Sequence, residues 1–133
     1  MDPENKKIIK QRITVLNPKL REEILSGGIE SIIKEISERK LLGEEQSLSL
    51  ENEVLLVLLG LDPVEDFADS LIDDFGFDIK TALGMEVEIE NKIFSRFYDE
   101  IKRVSLIPVE DEVNKNSTEG IFGIMMEKRA VNA

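Results

Sequence analysis

The stretch ENEVLLVLLGLDP, residues 51–63, places seven Leu or Val residues and one glycine between Val54 and Leu61 in a chain of which 34% is charged. So apolar a segment belongs in a bilayer, in a partner's groove or in the chain's own core. A helix over residues 50–59 is about 15 Å long at about 1.5 Å per residue, against about 30 Å of bilayer hydrocarbon, so it does not cross a membrane. Its apolar side chains fill every side rather than one stripe, the pattern of a helix surrounded by others. Burying seven of them contributes on the order of 10–20 kcal/mol, comparable to the cost of ordering the residues that carry them. The segment is therefore expected in the core. The fold class that follows is all-α: a compact bundle of about five helices around a central apolar helix at about 50–59.

Working outward, Ser47 or Ser49 is available to cap this helix, and Glu51 and Glu53 are expected at its start, where the positive end of the helix dipole favours them. Upstream, Ile29, Ile32, Ile33 and Ile36 recur at i, i+3, i+4 and i+7, one stripe of an amphipathic helix, with Gly43 as its stop. Asn17-Pro18 reads as a helix start leading into Leu20, Ile24 and Leu25, until Gly27-Gly28 interrupts. Asp2-Pro3 starts a basic first helix through Ile9, Ile13 and Leu16.

Downstream, Asp62-Pro63-Val64-Glu65 reads as a capping box ahead of Phe67, Leu71 and Phe75, with Gly76 as the stop. Asp78 caps a last helix whose stripe is Ala82, Met85, Ile89, Ile93 and Phe97. Within it MEVEIEN, residues 85–91, alternates as a strand would. The helical period continues through NKIFSRFYDEIK, and Glu and Met favour helix, so helix is the expectation. Gly84 is the weak point, a close helix contact or a kink. The domain organisation is a single helical domain over 1–104, with 1–17 as its basic N-terminal helix. A flexible acidic linker follows over 105–118, then an apolar tail over 119–133.

Composition removes several function classes. The 133 residues, one-domain size, contain no cysteine and no histidine, which excludes disulfides, thiolate metal sites and imidazole general bases. The N-terminus MDPENKKIIKQR has no apolar signal core, and a cytoplasmic location is expected; the sequon Asn116-Ser117-Thr118 is then without consequence. The net charge is −11, unevenly spread. Residues 1–21 carry six Lys or Arg against Asp2 and Glu4, whereas residues 41–91 carry fourteen Asp or Glu against Lys80 alone. That field disfavours nucleic acid and anionic membrane and favours a protein partner with a basic surface.

VLLGLDPVEDF, then Leu71, FGFD, and Glu88-Ile89 with Lys92-Ile93-Phe94 together resemble a pattern of small all-helical bacterial proteins of unknown function, over about residues 50–97. Gly84 stands where that pattern carries a helix former. The resemblance implies an all-α fold with a central apolar helix and supplies no activity.

Carboxylate pairs are the only catalytic raw material in quantity: Asp66 with Asp69, Asp73 with Asp74, Glu86 with Glu90. Calcium loops need oxygen ligands at fixed alternating offsets, which DSLIDDFGFDIK misplaces, and helical di-metal sites add histidines that are absent here. No cofactor and no metal is expected. The serines have no histidine to activate them, and Gly27-Gly28 lacks the remainder of a phosphate-binding loop. Ile121, Phe122, Ile124, Met125 and Met126 either complete the core or form a docking segment of the adaptable, methionine-rich kind. The reading is a non-enzymatic interaction or adaptor module, its contacts being the acidic surface around Asp66, Asp69, Asp73 and Asp74 together with residues 121–126. A self-associating homo-oligomer is the alternative, and a carboxylate or metal-dependent enzyme the competing class.

Overall fold

The computed structural model describes residues 3–108, and over that span the chain is all-helical, with no strand. Seven α-helices follow one another: α1 (Pro3–Val15), α2 (Pro18–Leu25), α3 (Gly28–Arg39), α4 (Glu44–Leu58), α5 (Phe67–Asp73), α6 (Ile79–Lys92) and α7 (Tyr98–Ser105). Single 3-10 turns stand before α5 (Val64–Asp66) and α7 (Phe94–Arg96). The MEVEIEN stretch is helix, inside α6. Among the described residues no helix is long and apolar enough to cross a membrane.

Each side chain from Val54 to Leu59 is at most 1% exposed, so the apolar segment is core on all sides. Its helix nevertheless begins well before residue 50. α4 starts at Glu44 with Gly43 as its N-cap, and neither expected serine caps it. The Ser47 hydroxyl instead bonds Ser37 on α3 at 3.0 Å, and that of Ser49 bonds the Glu45 carbonyl at 2.9 Å. Glu51 and Glu53 consequently lie in the helix interior, away from the dipole's positive end, and Glu53 is fully buried. Gly43 does not stop α3 either. That helix ends at Arg39, and Leu41 takes the left-handed conformation, φ 57°, that reverses the chain.

The Asp62–Glu65 box is also a correction. Pro63 is followed by a 3-10 turn without a side-chain cap, and α5 starts only at Phe67. By contrast Asn17 and Asp78 cap as expected, accepting from the amides of Leu20 at 2.9 Å and Thr81 at 2.7 Å.

The count of seven rather than about five arises partly where the expected last helix divides. At Ile93 (φ −124°, ψ −65°) the helix leaves regular geometry, and it resumes at Tyr98. No glycine or proline marks the place. Packing overrides propensity: Phe94 turns inward to meet Phe67 edge-on, ring centres 5.3 Å apart at 85°, and Phe97 is buried as well. Gly84 sits within the unbroken helix α6, and a Cβ there would meet nothing within 4 Å, so it marks neither a kink nor a close contact.

Gly60 does mark a close contact. It has φ +73°, and a Cβ on it would lie 2.6 Å from the Ser105 amide nitrogen and 2.7 Å from the Val104 carbonyl carbon. The end of α4 thus packs directly under the backbone of α7, which only a residue without a side chain permits.

Candidate functional site

The approach at Gly60 brings the loop after α4 alongside α7, and a groove of about 740 Å³, partly open to solvent, lies between them. Leu61, Pro63, Val64 and Ile101 give it apolar walls. Asp62, Glu65 and Asp99 bring three carboxylates to it, against the single ammonium of Lys102. Tyr98 closes one side, its hydroxyl donating to Glu90 of α6. That hydrogen bond, then burial and the negative charge of Glu90, push the phenol up to about 12, so at neutral pH Tyr98 is a hydrogen-bond donor and not a base. The space thus combines apolar walls with a rim on which carboxylates outnumber the one ammonium.

The α7 wall is held from behind by a polar clasp to α1. Arg12, 3% exposed, donates to the carbonyl oxygens of Val104 (2.7 Å), in the last turn of α7, and of Ile107 just beyond it. Its burial lowers its pKa from the usual guanidinium value. Glu100, also buried, accepts from the Asn17 amide at 2.6 Å and from two guanidinium nitrogens of Arg103, each at 2.7 Å. Arg103 in turn reaches the Val15 carbonyl. The hydrogen bonds from Arg103, followed by that from Asn17, hold the Glu100 carboxyl below its ordinary value against the opposing effect of burial. Charge-assisted bonds of this kind fix orientation as well as adding energy, so the groove's far wall has a set position.

Asp66, Asp69, Asp73 and Asp74 are all exposed on or beside α5. The first three recur at i, i+3 and i+7, on one side of the helix, and Asp66 directly follows Glu65 at the groove's rim. The acidic helix face is therefore continuous in sequence with the groove. Ile121, Phe122, Ile124, Met125 and Met126 lie outside the described residues, as does most of the expected linker; α7 itself runs to Ser105, and Ile107 packs against the core.

Sequence reasoning missed Tyr98, Asp99 and Lys102. Their signal was the outward positions of a helix read only for its inward stripe. It also missed Glu51, which burial first and then the neighbouring Glu30 push up to about 7, Lys34 opposing. Among the described residues, no group of three or more His, Cys, Asp or Glu is arranged to hold a metal ion. Compared with protein-family models, curated proteins and solved structures, the chain matches none.

Proposed function

We propose that the protein is a non-enzymatic interaction module of the adaptor kind, a bundle around α4 that receives a basic, partly apolar segment of a protein partner. The observation that carries this reading is the groove between residues 60–65 and α7, whose apolar walls meet Asp62, Glu65 and Asp99. Asp66, Asp69, Asp73 and Asp74 extend the same sign of charge along α5 and steer the partner's approach. The C-terminal residues Ile121, Phe122, Ile124, Met125 and Met126 provide a second, apolar contact.

The test is binding of a labelled basic amphipathic peptide to the full chain, followed by fluorescence anisotropy, with and without Glu65→Lys and Asp99→Lys. Both residues are exposed, so the fold tolerates the change. Binding should weaken as the screening length falls from about 10 Å at 0.1 M salt to about 3 Å at 1 M, and the double variant should lose it. Equal binding by both proteins disproves the groove as the site.

Self-association is the second reading, favoured by the exposed Lys7 and Lys10 on α1 opposite in sign to the α5 face. Sedimentation at low and high salt decides it, because a monomer in both removes it.

A further inference from the structure

Helix α6 carries an exposed row that is complementary to its own reverse. Ile79, Leu83 and Val87 recur at i, i+4 and i+8 and are 65%, 49% and 58% exposed, with no described residue covering them. Lys80, the single base between residues 41 and 91, stands beside the start of the row, and Glu86 and Glu90 stand beside its end. Neither Lys80 nor Glu86 makes an ion pair among the described residues. The spacing is symmetric about Leu83. Ile79 and Val87 lie four residues to either side of it, about 6 Å along the axis, and Lys80 and Glu86 three residues to either side, about 4.5 Å.

A patch used twice across a two-fold axis must be complementary to itself. With the axis at Leu83, two copies of α6 run antiparallel, Leu83 meets the partner's Leu83, and Ile79 lies level with the partner's Val87. Each Lys80 then lies level with the partner's Glu86, across the apolar seam. Parallel pairing would instead set Glu86 and Glu90 level with their own copies, and a uniformly basic segment would meet Lys80 with like charge.

We propose that the outer face of α6 is the interface of a homodimer, two copies packing antiparallel about Leu83. Three partly exposed aliphatic side chains per copy make a smaller contact than the roughly 800 Å² per partner of a standard interface, so the dimer exchanges with monomer as concentration changes. The face shares no residue with the groove or with the α1 and α5 charges, and the dimer does not depend on the groove reading.

Sedimentation of the full-length protein over roughly 1 to 300 µM tests the dimer. The wild type should pass from monomer to dimer, and Leu83→Glu, which sets two carboxylates on the axis, should weaken association at least about tenfold. Leu83 is half-exposed, so the fold tolerates the change. At about 0.1 M salt Lys80→Glu should also weaken association, and adding Glu86→Lys should recover it. Six residues separate the two positions in one helix, so they oppose each other only across the pair. The chain has no cysteine, so Leu83→Cys offers one thiol, placed to bond its copy. Mild oxidation should cross-link it about tenfold faster than Leu41→Cys, a fully accessible control away from α6. A wild-type monomer throughout overturns the proposal. So does a dimer indifferent to Leu83→Glu, a second charge change that recovers nothing, or cross-linking no faster at position 83 than at 41. No peptide enters these readouts, so their failure leaves the groove reading standing, and loss of peptide binding leaves the dimer standing.

Discussion

Replacing Arg12 by methionine keeps an unbranched stem in the core and removes only the guanidinium. Two charge-assisted hydrogen bonds disappear, those to the carbonyl oxygens of Val104 and Ile107. At about 1.5–3 kcal/mol each, the gross loss is about 3–6 kcal/mol. Two effects reduce it. The Val104 carbonyl keeps the bond it accepts from the Ile107 amide at 3.1 Å, and the methionine no longer carries a charge that had to be desolvated. A net destabilisation of about 2–4 kcal/mol follows, which at a slope of about 2 kcal/mol per molar moves the urea midpoint by about 1–2 M. Arg12→Lys keeps the charge without the fork and should lie between the two. Hydrogen exchange should place the loss in α1 ahead of α4, because α4 is enclosed by apolar packing that does not involve the clasp. A methionine variant within about 0.5 kcal/mol of the wild type would refute the reasoning.

Gly60→Ala should destabilise by several kcal/mol or prevent folding, because the new methyl meets the α7 backbone at a left-handed position; urea unfolding measures it. Gly84→Ala should do the reverse, adding about 1 kcal/mol, since α6 is regular there and the space is open. Leu41→Gly should also stabilise, by about 1 kcal/mol or less, through relief of the left-handed backbone. Glu51→Gln should raise stability at pH 8 by about 1–2 kcal/mol after solvent screening and leave it unchanged near pH 4. The sign follows from a folded pKa raised from 4.5 to about 7: the folded state holds the proton more tightly, so the wild-type chain loses stability as pH rises through that window. Glu100 acts oppositely, its depressed folded pKa giving stability at neutral pH that is lost on acidification, and Glu100→Gln should flatten the acid limb of the profile.

Hydrophobic period carried most of the fold. The segment at Val54–Leu59 read as core because its side chains face every direction, and α6 read as helix through an alternating stretch because the 3.6-residue pattern continued past it. Boundaries were less legible wherever a stop had a tertiary cause. Leu41 reverses the chain in place of the nearby Gly43, and Ile93 to Phe97 breaks a helix so that Phe94 reaches Phe67. Neither event has a local marker. The acidic residues of α5 were legible as exposed charge, but the groove they adjoin was not. It is formed by two segments almost forty residues apart in sequence, joined because Gly60 lacks a side chain. A glycine after a leucine run announces a helix end and says nothing of which backbone will lie against it.

The clasp between α1 and α7 also orders events in time. Arg12 binds a carbonyl 92 positions later in the chain, and at about 5–20 residues per second a ribosome takes about 5–18 s to make that distance. Throughout that interval the Arg12 guanidinium is without the two carbonyls it binds in the folded chain. Chaperone capture of nascent chains should accordingly be strongest for ribosomes stalled before α7 and should fall once Ile107 has emerged.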